Sequence, residues 1–224
     1  MHGFIQNKIT NRIKQYGSNA AFVQFTRAIL RWLYKLERYI VFIIPAFKGY
    51  TYNDSCIALM TEERIVYAIK NGELETTQAH LLNGFLKEGS KGVFADVEGK
   101  LAGYAWIQFE GVYRFGITGK FNIPSKYAVM KNLYVFPMHR GHKVSTKLNA
   151  ARLALIPAGH TPVVFIIPEN KYAIRNWAQY GFRRILSVKR WRWICGSWKM
   201  CIKRLADHDE AFVLEKALQE ANDK

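Results

Sequence analysis

With 224 residues, half of them hydrophobic and 14% aromatic, the chain has the length for one domain plus an extension and the apolar content for a packed core, which excludes general disorder. Six prolines without a Gly-X-Y period exclude collagen-like and proline-rich classes; Cys56, Cys195 and Cys201 read as reduced cytosolic thiols rather than a disulfide scaffold, and no CxxC or His-x-x-x-His spacing points to a structural zinc. The net charge of +16 sits almost wholly in residues 111–206, where eighteen Lys+Arg face one acid, Glu169; nucleic acid, an anionic membrane face, a polyanionic small molecule, an acidic carrier protein or plain solubility could each answer it.

The first residues lack the apolar core and small-residue cleavage site of a signal peptide, so the expected location is cytoplasmic. Ile5, Ile9, Ile13 and Tyr16 recur at helical spacing, and Gly17-Ser18-Asn19 breaks the run. A second helical stripe follows at Phe22, Phe25, Ile29, Leu33 and Leu36, opposite Arg27, Arg31, Lys35 and Arg38. Such a basic amphipathic helix can lie on an anionic membrane, pack on its own domain or join a second subunit. The apolar run Tyr39–Phe47 is too short to span a bilayer and reads as a strand ended near Pro45.

Thr61 is an N-cap with Glu62 and Glu63 in the first helical turn, and that helix runs to about Asn71-Gly72. A second helix covers 76–88 and ends at Gly89. Residues 92–97 and 101–109 flank Glu98-Gly99-Lys100 as a tight hairpin. Residues 111–126, with three glycines and Pro124, read as a long loop with room for one short strand. A strand at 127–136, a helix at 142–156 and an apolar strand at 162–167 form a parallel crossover unit. A short helix at 170–180, strands at 183–194 and 198–204, and a helix at 207–222 complete the chain. The expected divisions are 1–48 (helical extension and first strand), 49–206 (main domain) and 207–224 (acidic helix).

One segment concentrates chemistry. After the strand, Pro137 forbids continuation and Arg140-Gly141 turns the chain into a helix, so several backbone N–H groups and the positive end of the helix dipole meet at one spot. That is an anion site for a phosphate or pyrophosphate, reinforced by Arg140, Lys143, Lys147, Ser145 and Thr146. The spacing fits neither a P-loop nor a dinucleotide fingerprint.

Arg140-x-x-Lys143-x-Ser145, then Asn170-x-x-Ala173, Trp177 and Gly181-Phe182, preceded by the hairpin Asp96–Ala105, resemble the GCN5-related N-acetyltransferases over about residues 90–205. The resemblance implies an α+β fold with a central mixed, splayed sheet flanked by helices, and an acyltransferase that uses acetyl-CoA or another acyl-CoA as co-substrate, with no metal. It implies coenzyme A contacts from Leu133, Val135, Arg140, Gly141, His142, Lys143, Val144, Ser145, Thr146, Asn170 and Trp177. Lys143 and Ser145 stand where the family carries glycine, so either the loop shifts or Lys143 turns outward and binds phosphate as a cation. Trp177 stands where many members have the tyrosine that protonates the leaving thiolate, so that role is vacant or is taken by Tyr172 or Tyr180. Asn132 stands where many carry an acid.

The implied reaction is direct attack of an amine on a thioester carbonyl, which needs a proton acceptor and a donor to the carbonyl oxygen. The backbone N–H at the splay, near Val135, supplies the donor. Glu110, His139 or His142 could take the proton, and Asn170 could cap its helix, touch pantetheine or do both. The acceptor is a small-molecule or peptide amine. An acyl carrier protein as donor, and a degenerate binding protein of the same fold, are the alternatives. Homodimerisation and membrane contact through the N-terminal helix stay open, with nucleic acid ranked below them. In the last hairpin, Arg190-Trp191-Arg192-Trp193 alternates, placing both tryptophans on one face and both arginines on the other. Core packing under a basic face, an acceptor wall, an acyl groove or base stacking would each use that pattern.

Overall fold

In a computed structural model, residues 33–222 are described. Their strands are β1 Tyr34–Ile43, β2 Ile57–Leu59, β3 Lys91–Val97, β4 Lys100–Gln108, β5 Val112–Phe115, β6 Gly119–Asn122, β7 Tyr127–Val135, β8 Thr161–Ile166, β9 Arg183–Trp193 and β10 Lys199–Arg204. Their helices are α1 Glu62–Lys70, α2 Thr76–Lys87, α3 Val144–Ala154, α4 Lys171–Gln179 and α5 Asp209–Asn222, with a 3-10 turn at Pro137–His139. The fold is α+β, with a large mixed sheet in the order β10-β9-β1-β8-β7-β4-β3-β2 and a separate β5–β6 hairpin. The described residues divide into two compact units: residues 39–188 with 202–222, and residues 33–38 with 189–201.

In the larger unit the sheet has two covered faces. On one, α1 and α2 bury Ile65, Ala68, Ala79 and Leu82 against Leu101, Tyr104 and Trp106. On the other, α3 sets Val144, Leu148 and Ala151 against Val93, Ala95 and Ala105, while Trp177 and Phe182 meet Ile107, Ala128 and Met130. Two-sided cover explains why β4 reads as a nearly unbroken apolar run. The crossover β7–α3–β8 is parallel, as the sequence pattern requires.

The expected helix over 5–16, and that over 22–36 up to Trp32, lie outside the described residues. Where the second can be compared it ends early: the chain is extended from Tyr34, so Lys35, Leu36 and Arg38 stand on β1, not on a helix. β1 stops at Ile43, before Pro45 and Ala46, whose φ is +49°. It pairs antiparallel with β8, Ile40 opposite Ile166 through Ile43 opposite Val163. That pairing across 120 positions of sequence satisfies its backbone groups better than an isolated helix end could. The loop expected over 111–126 holds two strands, paired about the Gly116 turn. Tyr113, Phe115 and Phe121 from this hairpin pack on Phe165, so tertiary aromatic contacts organise a segment rich in turn residues. The short strand β2 is an edge addition to β3 with no periodicity of its own to signal it.

Candidate active site

β7 pairs with β8 only from Tyr127 opposite Thr161 to Met130 opposite Val164. Beyond that the strands diverge, while β7 stays on β4 as far as Val135 opposite Gly103. On β4, Trp106 faces Lys131 and Tyr104 faces Tyr134, so Asn132 and Leu133 together oppose Ala105. This is a β-bulge, and Asn132 adopts the left-handed φ of +48° that asparagine tolerates better than most side chains. Gly103 makes the close pairing feasible: a Cβ there would lie 2.6 Å from the Tyr134 carbonyl oxygen.

The divergence leaves one edge of Leu133–Val135 facing a cleft of about 560 Å³, also lined by His139, Arg140, Gly141, Lys143, Val144, Ser145, Thr146 and Tyr172. The Phe136 N–H donates to the Ala102 carbonyl, so by strand alternation the Val135 N–H and C=O point the other way, into the splay. Arg140 agrees with that orientation, its Nε donating to the Val135 carbonyl at 3.3 Å.

Three features fit this cleft to a phosphorylated ligand. Lys143 is the N-cap of α3 with φ +59° and ψ 15°, and no side chain caps the helix, which leaves the first-turn amides without a side-chain acceptor. Gly141 has φ +84° with open space where a Cβ would stand. His139 Nε2 is buried without a hydrogen-bond partner. Lysine therefore occupies the left-handed position that glycine would take, at a cost of about 1 kcal/mol, with its side chain exposed to the cleft.

The first turn of α3 is braced from two sides. Tyr180 Oη donates to the Thr146 carbonyl at 2.9 Å, and burial pushes that phenol up to about 12. Asp54 pairs with Lys147 at 3.0 Å, accepts from the Cys56 N–H at 2.9 Å and from the Tyr52 hydroxyl at 3.0 Å. The Cys56 N–H, then Lys147, hold its carboxyl down to about 2. Behind the bulge, Arg152 is buried with no carboxylate in hydrogen-bond contact. It donates to Asn149 Oδ1 at 2.6 and 3.1 Å, to the Lys131 carbonyl at 3.1 Å and to the Trp106 carbonyl at 3.3 Å. Burial lowers its guanidinium to about 9.

Of the residues singled out in the sequence, Leu133, Val135, His139, Arg140, Gly141, Lys143, Val144, Ser145 and Thr146 line one cleft. His142 lies on the same turn but not in the lining. Asn170 caps α4, its Oδ1 accepting from the Ala173 N–H at 3.0 Å. Trp177 is a core side chain, 4.7 Å from the Phe182 ring. Tyr180 spends its hydroxyl proton on Thr146, so it braces the helix. Glu110 follows β4 at the end away from Gly103, and a Cβ at Gly89 would meet its Oε1 at 3.8 Å.

Sequence reasoning did not single out Lys131, Arg152 or the Tyr52–Asp54 pair as structural partners of the site. Lys131 is nearly enclosed: its Nζ bonds Gln108 Oε1 at 2.9 Å, meets Glu88 at 3.5 Å and lies 4.1 Å from the Phe85 ring centroid, and burial lowers its ammonium pKa. Only a cation at odds with an apolar pattern could have flagged it.

No curated protein matches the sequence. Among solved structures, a putative GNAT-family acetyltransferase from Novosphingobium aromaticivorans is 17% identical, with a TM-score of 0.51; the match covers 69% of this chain and 63% of that one, so it spans less than two thirds of that protein. An aminoglycoside N-acetyltransferase solved in complex with CoA is also 17% identical, the match covering 57% of this chain and 90% of that one at a TM-score of 0.40. A ribosomal-protein-alanine N-acetyltransferase from Brucella melitensis is 21% identical over 57% of this chain and 83% of that one, at a TM-score of 0.40. At such identities the first likeness speaks for the fold. The family profile goes further: the acetyltransferase (GNAT) family matches residues 56–182, more than half of the sequence and all of the splay, bulge and anion turn. The chain belongs to the acetyltransferase (GNAT) family.

Proposed function

We propose that this protein is an acyl-CoA-dependent N-acyltransferase, with acetyl-CoA as the donor, that acylates an amine by direct attack. The observation that carries the reading is the cleft, which joins an uncapped helix N-terminus to the splayed edge of a bulged strand. The pyrophosphate takes the first-turn amides of α3, with Arg140 and Lys143 as cations and Ser145 and Thr146 as hydroxyl donors. The pantetheine arm follows the open edge of Leu133–Val135. The Val135 N–H, fixed by the strand and by Arg140 on its own carbonyl, donates to the thioester oxygen as negative charge develops there.

The amine nitrogen bonds to the carbonyl carbon, the carbon–sulfur bond breaks, and coenzyme A leaves as thiolate and collects a proton. His139 takes the proton from the acceptor ammonium, through a side-chain movement or one water, because the residue lines the cleft and its buried Nε2 has no hydrogen-bond partner. Glu110, off the cleft, serves as a carboxylate on the acceptor's approach. Asn170 and Trp177 act through α4, which holds Tyr180 against Thr146.

The test is thiol release from acetyl-CoA over a panel of small amines and peptide N-termini, wild type beside His139→Gln. The expected result is turnover with at least one amine class and a fall in kcat of about a hundredfold in the variant. Unchanged turnover in His139→Gln, with Glu110→Gln inactive, would move the proton acceptor to Glu110. Turnover with no amine would sink the reading.

A further inference from the structure

The β9–β10 tip belongs to the smaller unit, and its faces are arranged the opposite way from an ordinary basic surface. Alternation along β9 puts Arg190 and Arg192 on one face and Trp191 and Trp193 on the other. The arginine face is the packed one. Arg190 is 4% exposed, its Nη1 is 2.8 Å from Glu37 Oε2, and both guanidinium groups lie over the Trp198 ring, at 4.7 and 5.2 Å. On the tryptophan face Trp191 is half-buried with Lys189 Nζ 5.5 Å from its ring centroid, and the face opens at Trp193. Trp193 is 60% exposed although its ring meets Tyr34 at 5.0 Å, and the next residue, Ile194, is 41% exposed at the turn closed by the Gly196 N–H on the Trp193 carbonyl. Leu36, two positions from Tyr34 on the same face of β1, is 44% exposed.

Large apolar side chains exposed together on a strand tip, with arginines turned inward, leave an uncompensated hydrophobic cost in water. The charge around them is one-sided. Residues 33–38 and 189–201 hold six Lys+Arg against Glu37. Lys189 and Lys199, both exposed, flank the tryptophan strand. A nucleic-acid face would need its guanidinium groups beside the stacking rings and free for phosphate. Here Arg190 is paired with Glu37, and both Arg190 and Arg192 are stacked on Trp198, so neither guanidinium stands beside the exposed Trp193. An indole and an aliphatic side chain at a hairpin tip, rimmed by lysines, match the interface of a bilayer that carries anionic headgroups.

We propose that the β9–β10 tip, through Trp193, Ile194 and Leu36 with Lys189 and Lys199 at the rim, seats the protein on an anionic lipid surface. This is independent of the acyl-transfer reading and of any role for the N-terminal segment.

The test uses the full chain in flotation with phosphatidylcholine vesicles, with and without phosphatidylglycerol. The expected result is flotation only with the anionic vesicles, lost at high salt. Trp193→Ser with Ile194→Ser lowers the bound-to-free ratio about tenfold while keeping its melting temperature and acetyl-CoA affinity. Lys189→Glu with Lys199→Glu, which leaves the apolar tip intact, lowers it severalfold and keeps the test open should the first variant misfold. No flotation of the wild type, or flotation of both variants equal to wild type, overturns the proposal. So does capture of a single-stranded oligonucleotide, lost in Trp193→Ser with Ile194→Ser, in place of flotation.

Discussion

At the turn before α3 one residue departs from the expected glycine without changing the left-handed backbone that a glycine would take. Lys143 holds the left-handed backbone of a glycine and adds a cation, so the first-turn amides of α3 stay available. Asp54 does comparable work from outside the turn. Its carboxyl is held near 2, against an ordinary value of 3.8, so the folded state gains stability from its ionised form. That gain is fully present above about pH 4 and is lost as pH falls through about 2, with a size of about 2 kcal/mol. Asp54→Asn should therefore melt below wild type at neutral pH, and the gap should close in acid; a gap independent of pH would contradict the ionic role. Arg152 is a second case. Arg152→Leu strands the Lys131 and Trp106 carbonyls and Asn149 Oδ1, and should cost about 3 kcal/mol in chemical denaturation. These two residues were not legible in the sequence, because burial and a partner across the fold, not a local motif, give them meaning. Arg140, Gly141 and the α3 first turn were legible because strand, proline and helix start are adjacent in the chain.

At the scale of elements, the decisive object is the bulged pairing of β4 with β7. It displaces β7 from β8 and aims the Val135 N–H at the cleft. Gly103 permits it, since a side chain there would meet backbone and not a movable side-chain end. Gly103→Ala should destabilise the fold by about 1–3 kcal/mol and lower kcat more than it raises KM for acetyl-CoA, because it shifts the thioester donor and spares the anion turn. An equal loss in both, or none, would place the bulge outside the reaction. The parallel crossover β7–α3–β8 was readable from apolar runs of the right lengths. The start of β1 was not: Lys35, Leu36 and Arg38 fit a helical stripe, and only the place of β1 in the sheet, between β9 and β8, decides for a strand. The β5–β6 hairpin was likewise obscured by glycines, its order coming from aromatic contacts with Phe165.

Over the whole molecule, the basic block divides between two kinds of site. Part of it converges on the α3 turn, where Arg140 and Lys143 border the cleft. Another part belongs to the smaller unit, where arginines are packed and lysines rim an apolar tip. Net charge alone could not separate these uses, whereas burial does. In the proposed function the cleft holds acetyl-CoA through the α3 N-terminus and its two neighbouring cations. Calorimetric titration with acetyl-CoA at low and moderate salt, wild type beside Arg140→Glu with Lys143→Glu, tests it most directly. The expected Kd is about 1–100 μM for the wild type, weaker at the higher salt, with at least about a tenfold loss in the charge-reversed protein. Absence of binding by the folded wild type at either salt, or equal affinity in the two proteins, would contradict it.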